Sequence, residues 1–309
     1  IVLDEKPEIK GNCATAGFSK VWLQTDNEGL KFRTSENGKL VLHIPASNKA
    51  IHLNVVLAHD ESESTKNKRP TNQVTNLADK TKGGPRRWKS THTLKGRLAT
   101  STFQGYVMDS ITVPLKNAYN SWMRTSSLAF FPDGRLAVGT LPGDIWIVSG
   151  INDKLDKITW QRFAAGLYEP LGMKVVDGVL TAITRGRLVK LHDYNNDGEA
   201  DFYEAFFNED EPDKGWHAYN FDLEVGKDGS FYYGRTGGFS QWSVPGGVVK
   251  VSADGKTSTV IGAGLRVPNG IGKLPDGRIT LGDNQGTYVP ASKISITSPD
   301  AFHGAGAWI

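Results

Sequence analysis

Short apolar runs broken by glycine-containing turns recur along the chain and predict β-strands rather than helices. Near the N-terminus, the runs GKLVLHIPA (38–46) and AIHLNVVLA (50–58) predict two strands separated by a Ser-Asn-Lys turn. Residues 61–96 are polar, charged and punctuated by Pro and Gly, which indicates a linker or a long surface excursion. We therefore expect a separate, incomplete β-rich module over residues 1–60.

A repeated pattern of turns and strands follows this linker. Asp-Gly pairs begin at positions 133, 177, 228 and 276, at intervals of 44, 51 and 48 residues, and each precedes a short strand and a second glycine-containing turn. A repeat of this length built from short strands is typical of a β-propeller blade. The alternative is four unrelated hairpins of a large β-sandwich. The even spacing favours an all-β fold with a partial β-propeller of about four blades over residues 97–309.

Composition and charge agree with a turn-rich β-protein and exclude several function classes. The 309 residues include 35 Gly and 8 Trp, and 38% are hydrophobic. The formal net charge of +3, from 36 basic and 33 acidic residues, is too balanced to indicate nucleic-acid binding. The single cysteine, Cys13, allows neither an intramolecular disulfide nor a cysteine-rich zinc site. No apolar run is long enough to span a membrane.

The stretch DYNNDGEADFYE, residues 193–204, carries oxygen ligands at the spacing of a calcium loop, D-x-[DN]-x-[DN]-G-x5-E. Calcium takes several oxygen ligands at flexible distances, and a loop that turns at Gly198 can direct them toward one ion. The expected ligands are the side chains of Asp193, Asn195, Asp197, Asp201 and Glu204 and the backbone carbonyl of Glu199. Without a cation, converging carboxylates would repel by about 1 kcal/mol per pair.

The residues on either side of this loop suit strands rather than the long helices that often flank such loops. GRLVKL precedes the loop and the aromatic run FYEAFF follows it. We therefore expect a calcium ion that stabilises a blade and takes no part in chemistry. The alternative is a solvated Asn-Asp-Gly turn that joins two strands without a metal.

Several linked motifs over residues 80–309 resemble those of one protein family. They include GGPRRW, SWMR, FFPDGRLAVGTLPGDIWIVSGI, RLVKLHDYNNDGEADFYEAF and GLRVPNGIGKLPDGRITLGDNQG. On these motifs the chain resembles the propeller region of secreted planctomycete and verrucomicrobial proteins known as membrane-bound dehydrogenases, which are associated with haem-binding domains. That family is similar to the soluble quinoprotein sugar dehydrogenases, which are six-bladed propellers that use pyrroloquinoline quinone and calcium.

The resemblance implies a periplasmic or extracellular oxidoreductase that acts on a carbohydrate or another small molecule. It also implies partners, namely the remaining blades or a cytochrome domain, in the same polypeptide or in another chain. Many members carry a Cys-x-x-Cys-His haem motif, which this sequence lacks, so haem is not expected here. Four repeats of a six-bladed ring would leave two open edges with unpaired backbone groups, so we expect further blades to complete the ring.

The resemblance suggests one catalytic residue and one cofactor-binding residue. His217, in WHAYNFDLEVGKDGSFYYG, matches the family histidine that removes a proton from the sugar hydroxyl. An imidazole can accept that proton at neutral pH. The segment GLRVPNG resembles the quinone-contacting motif Arg-Asn-Pro-x-Gly, so Arg266 matches the family arginine, whereas Val267 replaces the asparagine.

Two other functions fit the same stretch of sequence. PNGIGKLPDGRITLGDNQG also resembles calcium-dependent lactonases, in which Asn269 and Asp283 would hold a cation that polarises a carbonyl group. The structural alternative places Asn269 in a turn and Asp283 at a strand end. A non-catalytic, calcium-stabilised propeller that serves as a binding or scaffold domain is the remaining possibility.

Overall fold

The computed structural model describes residues 6–16, 19–25, 27–59, 78–100, 105–209, 219–237, 246–285 and 291–304. The chain divides into two compact units, Ile1–Thr81 and Lys82–Ile309. Within the described ranges the regular structure consists of β-strands and one short 3-10 helix, Ala78–Lys82. The same ranges contain no helix that is long and apolar enough to cross a membrane. The predicted all-β class is therefore confirmed.

In its described residues, the first unit contains six strands in two sheets. They are β1 (Glu8–Lys10), β2 (Cys13–Ala16), β3 (Ser19–Thr25), β4 (Lys31–Thr34), β5 (Leu40–His43) and β6 (Leu53–His59). One sheet has the order β1-β2-β3-β6, and β4 and β5 form a separate hairpin. The hydrophobic core of the first unit contains the buried residues Ala14, Val21, Leu23, Leu30, Phe32 and Leu40. The two runs predicted as strands correspond to β5 and β6, which lie in different sheets and do not pair with each other.

The second unit contains four successive antiparallel sheets, which we call blades 1 to 4. Blade 1 consists of β8 (Thr125–Phe130), β9 (Leu136–Thr140), β10 (Ile145–Ser149) and β11 (Ile158–Ala164), in that order, and β7 (Thr91–Leu94) adds an edge strand next to β11. Blade 2 consists of β12 (Gly172–Val176), β13 (Val179–Thr184), β14 (Arg187–His192) and β15 (Phe202–Asn208). Blade 3 contains β16 (Asn220–Val225), β17 (Phe231–Arg235), β18 (Gly247–Val251) and β19 (Ser258–Ala263). Blade 4 consists of β20 (Pro268–Lys273), β21 (Ile279–Asp283) and β22 (Lys293–Thr297).

Each Asp-Gly pair of the sequence repeat forms the turn between the first two strands of a blade. The glycines, Gly134, Gly178, Gly229 and Gly277, all have positive φ, between 78° and 98°. Glycine adopts this conformation without the steric cost that a Cβ atom would bring. The predicted repeat is therefore the blade itself.

The first strands of successive blades, β8, β12, β16 and β20, contact one another in chain order. This is the arrangement of inner strands around a propeller axis. Buried side chains fill the spaces between blades, including Ile145 and Met173 between blades 1 and 2, Leu188 and Tyr233 between blades 2 and 3, and Val248 and Leu281 between blades 3 and 4. Strands β12 and β16 approach closely at Gly172, where an added Cβ would lie 2.2 Å from the backbone carbonyl carbon of Asp222.

Two strands extend blades beyond the predicted repeat. Strand β7 pairs antiparallel with β11, although its residues lie within the range predicted as a linker. Strand β23 (Ala301–Phe302) pairs in parallel with β19 at the outer edge of blade 3. Both strands supply backbone partners to an outer edge that would otherwise be unpaired.

Candidate functional site

A cavity of about 590 Å³ lies where the inner strands of all four blades come together. Its lining residues are Thr125, Ser126, Ser127, Leu128, Leu171, Gly172, Met173, Phe221, Asp222, Asn269 and Gly270. The volume falls within the range of roughly 300–1,000 Å³ that is typical of small-molecule sites. The candidate site is therefore assembled from residues far apart in sequence.

The polar part of the cavity wall is rich in hydrogen-bond acceptors. The hydroxyl groups of Ser126 and Ser127 each donate to the carbonyl oxygen of Pro170, at 2.8 Å in both cases. A hydroxyl has one proton and two lone pairs, so both oxygens keep acceptor capacity for a ligand. The lining residues include a carboxylate, Asp222, and no lysine or arginine. Such a wall favours a ligand with several hydroxyl donors.

Asp222 connects three of the inner strands. Its backbone N–H donates to the carbonyl of Leu171 at 3.1 Å, and its Oδ2 accepts from the backbone N–H of Ile271 at 2.8 Å. Its φ of 55° lies in the left-handed region, which aspartate tolerates better than most residues. Residues in this conformation concentrate at functional sites. Sequence reasoning missed Asp222, although a carboxylate inside the apolar strand NFDLEV was a visible signal.

Of the predicted residues Arg266, Asn269 and Asp283, Asn269 lines the cavity. Arg266 lies three residues earlier, and its Nη1 donates to the carbonyl of Gln285 at 3.0 Å. Asp283 is 3% exposed, and its carboxylate accepts from the backbone N–H groups of Arg266 and Val267 at 3.2 and 2.9 Å. The three predicted residues therefore surround the start of β20, but Asp283 binds the backbone there and is not among the lining residues.

The other blades show what the position of Asp283 does. Buried Thr140 and Thr184 end the second strands of blades 1 and 2, and each hydroxyl donates to a carbonyl across the following turn. In blade 3, Thr236 follows the second strand, and its hydroxyl accepts from the backbone N–H of Tyr219 at 3.0 Å. Asp283 thus occupies the position that fixes a strand end in blades 1 and 2, whereas in blade 3 the next residue along, Thr236, does so. His217, the predicted general base, lies outside the described residues.

The calcium-loop residues turn their oxygens toward backbone N–H groups. Asp193 accepts from Asp197 and Gly198 at 3.1 and 2.8 Å, and Asp197 accepts from the backbone N–H of Glu199 at 3.0 Å. The carboxylate of Glu204 lies 2.7 Å from Nε2 of His192. Among the described residues, no three His, Cys, Asp or Glu side chains are grouped as metal ligands. The calcium assignment stays a prediction.

The same loop binds residues 83–88, which we call the strap. Glu199 is 5% exposed, and its carboxylate accepts from the backbone N–H groups of Arg87 and Trp88 at 2.7 and 3.0 Å and from Nε of Arg87 at 2.8 Å. The side-chain hydrogen bond from Arg87 to Glu199 raises the pKa of Arg87 above its ordinary value. Asp201 accepts from the N–H of Gly84, and Asn195 donates to the Gly84 carbonyl, both at 2.8 Å. Sequence reasoning missed this function of the loop.

No protein-family model matches the chain, and no curated protein matches it. Among solved structures, the holo PQQ domain of pyranose dehydrogenase from Coprinopsis cinerea is 13% identical, with a TM-score of 0.49 over 60% of this chain and 56% of that chain. PQQ-bound aldose sugar dehydrogenase from Streptomyces coelicolor is 15% identical, with a TM-score of 0.46 over 70% of this chain and 69% of that chain. A gluconolactonase from Xanthomonas campestris is 15% identical, with a TM-score of 0.42 over 57% of this chain and 59% of that chain.

The chain spans about half to two thirds of the length of these structures. Sugar dehydrogenases and a lactonase are similar to it to nearly the same extent.

Proposed function

We propose that this chain carries the blades of a periplasmic or extracellular oxidoreductase of the quinoprotein sugar or alcohol dehydrogenase type. The observation that carries the proposal is the cavity at the inner strands, whose acceptor-rich wall complements the hydroxyl groups of a sugar or an alcohol. The sequence motifs shared with the planctomycete and verrucomicrobial dehydrogenases support the same class. The fold alone does not, because propellers host many activities.

In this proposal an anionic quinone and a calcium ion would be held at the edge of the cavity beside Arg266, because the lining residues themselves include no cationic side chain. Arg266 would pair with a carboxylate of the quinone through charge-assisted hydrogen bonds. Asn269 and Asp222 would supply hard oxygens of the kind that calcium prefers, through the lone pairs that the hydrogen bonds to the Asp222 carboxylate leave unused. When bound, the quinone would itself accept the electrons removed from the substrate. The serine and aspartate oxygens of the wall would orient the substrate hydroxyl, and His217 would accept its proton.

Reconstitution of the intact protein with pyrroloquinoline quinone and calcium tests this function. We expect reduction of an artificial electron acceptor by aldoses or simple alcohols. His217→Gln should lower turnover roughly a hundredfold while leaving cofactor binding intact. Arg266→Ala should weaken quinone binding, whereas Arg278→Ala, which removes an exposed arginine paired with Asp276, should not. Absence of acceptor reduction with every substrate would contradict the proposal.

A calcium-dependent lactonase is the second candidate, because the cavity brings Asn269 and Asp222 into one wall. A cation there would polarise the carbonyl of a lactone. This function predicts lactone hydrolysis that needs no electron acceptor and stops when a chelator is added. Asp222→Asn should then abolish hydrolysis. If neither reaction occurs, the non-catalytic, calcium-stabilised propeller remains.

We further propose that the loop at residues 193–201 binds calcium and stabilises blade 2. Asp193, Asp197 and Asp201 keep unused lone pairs, since each carboxylate oxygen accepts more than one hydrogen bond. Glu204 would have to leave His192 to join them. Binding to the folded state alone should raise the melting temperature with the logarithm of excess calcium. Equal melting temperatures with calcium and with a chelator would leave a simple turn.

Further blades, in the same polypeptide or in another chain, complete the ring in this proposal, and a cytochrome domain would receive the electrons. Large apolar side chains on the two terminal blades support it. In β8 of blade 1, Leu128 and Phe130 are 61% and 63% exposed, and in β22 of blade 4, Ile294 and Ile296 are 87% and 46% exposed. A neighbouring blade would bury such side chains.

Native mass spectrometry of the protein as isolated from its source tests whether further blades complete the ring. A stable monomer containing only these four blades would contradict the proposal.

A further inference from the structure

A row of neighbouring aromatic and arginine side chains leads from the cavity wall to the protein surface. Phe221 lines the cavity, and its ring centroid lies 5.4 Å from that of Tyr219. The guanidinium of Arg185 lies 5.4 Å from the Tyr219 ring and 5.0 Å from the Tyr168 ring. We call Phe221, Tyr219, Arg185 and Tyr168 the aromatic row. Its outer member, Tyr168, is 60% exposed.

The aromatic row is held in place by an ion pair. Nε and Nη2 of Arg185 lie 2.9 and 2.8 Å from Oε2 of Glu169, and the two side chains are only 14% and 16% exposed. The backbone N–H of Arg185 also donates to the carbonyl of Tyr168 at 3.1 Å. Because Glu169 balances its charge, Arg185 acts as a planar support between two rings. The row therefore does not attract an anionic ligand.

Tyr168 is close in sequence to the cavity wall. It is two residues from Pro170, whose carbonyl oxygen accepts the hydroxyl protons of Ser126 and Ser127 in the cavity wall. Two residues of extended chain span at most about 7 Å. The Tyr168 backbone therefore lies near the wall, and the aromatic row connects the Tyr168 ring to Phe221 in the lining.

The chemistry of both surfaces points to one class of ligand. The cavity wall offers acceptors for hydroxyl groups, whereas the Tyr168 ring offers a flat apolar face with a polar tip. A tyrosine that is already held in place loses little conformational entropy on binding. A saccharide has the matching features, because its rings present apolar C–H faces and its hydroxyl groups point outward.

We propose that Tyr168 forms a subsite for the second ring of an oligosaccharide whose terminal ring occupies the cavity. The occupancy of the cavity rests on the proposed sugar dehydrogenase function. The Tyr168 subsite itself rests on the aromatic row and is independent of any cofactor. Tyr168 would thereby set a preference for oligosaccharides over single sugars.

Direct binding measurements on the intact protein test this subsite. Isothermal titration with glucose, cello-oligosaccharides and malto-oligosaccharides should show that at least one oligosaccharide series binds about tenfold more tightly than the single sugar. Tyr168→Ala should remove that difference and leave glucose binding unchanged, whereas Tyr168→Trp should restore it. Tyr106→Ala, which removes another tyrosine that is 83% exposed, should change neither affinity.

These measurements separate the subsite from the catalytic proposal. Tighter oligosaccharide binding that Tyr168→Ala abolishes would support the subsite even in a protein that reduces no electron acceptor. Equal affinities for one sugar ring and several would overturn it. An oligosaccharide affinity that survives Tyr168→Ala would also overturn it, provided that circular dichroism shows the variant to be folded.

Discussion

Glu199 should control whether the strap stays bound to blade 2. Its buried carboxylate accepts three hydrogen bonds from Arg87 and Trp88, at 2.7, 2.8 and 3.0 Å. Glu199→Ala removes both carboxylate oxygens and with them all three hydrogen bonds. The backbone N–H groups of Arg87 and Trp88 would then lack partners unless the strap opens to water. We therefore expect a local effect on the strap.

The magnitude follows from the exposure of each donor. The Arg87 side chain is 66% exposed, so water replaces its hydrogen bond at little cost. The two backbone hydrogen bonds to a charged acceptor contribute about 1.5–3 kcal/mol each, or roughly 3 kcal/mol together at the lower end. That loss raises the population of the open strap roughly a hundredfold. Glu199→Gln keeps a carbonyl acceptor but loses the charge, so we expect roughly a tenfold rise.

Hydrogen exchange of the Arg87 and Trp88 amides measures this opening directly. Their exchange should accelerate roughly a hundredfold in Glu199→Ala, and trypsin should cleave the strap faster at Arg87. Glu224→Gln is the matched control, because it removes a glutamate paired with Lys174 at 2.8 Å in a different contact. Unchanged exchange of both amides in Glu199→Ala would refute the assigned energetics of the strap.

Two further substitutions test the blades. Gly172→Ala would place a Cβ 2.2 Å from the backbone of Asp222, so urea denaturation should show a loss of about 2 kcal/mol or more, whereas Gly84→Ala, with no atom within 4 Å, should change stability by less than about 1 kcal/mol. The hydrogen bond from Lys250 and that from the Ser230 backbone lower the pKa of Asp228 from 3.8 to about 2. Its stabilisation is present above pH 3.8 and is lost as the pH falls through about 2. The stability advantage over Asp228→Asn should thus be constant above about pH 4, stay below about 1 kcal/mol because the pair is exposed, and vanish near pH 2; a difference that grows on acidification would contradict the assignment.

The blades of the second unit could be predicted because their turns require particular residues. A turn with positive φ selects glycine, and the preceding aspartate stabilises the turn, so Asp-Gly pairs mark each inner hairpin. Strand β7 carries no such signal. Its residues, THTL, become a strand because β11, about 70 residues further along the chain, supplies hydrogen-bond partners. A local pattern does not contain that information.

The first unit shows the same limit for strand pairing. The apolar runs of β5 and β6 predicted two strands correctly, but their separation suggested nothing about their partners. In the structure, β5 pairs with β4 and β6 pairs with β3. The connection of nine residues between them does not impose the register that a two-residue hairpin turn imposes.

The cavity could not be predicted from alternation because its strands are irregular. Register shifts occur in three of the four inner strands. They lie between Thr125 and Ser127 in β8, between Phe221 and Glu224 in β16, and between Pro268 and Ile271, on either side of Asn269, in β20. A bulge redirects the side chains that follow it, so a residue expected on one face turns to the other. The resemblance to lactonases drew attention to Asp283, at the regular end of β21, whereas the carboxylate that lines the cavity belongs to Asp222, inside the irregular part of β16. The same register shifts interrupt the regular hydrogen-bond ladders of β8, β16 and β20 next to the cavity. Polar groups that a regular ladder would occupy can then face a ligand.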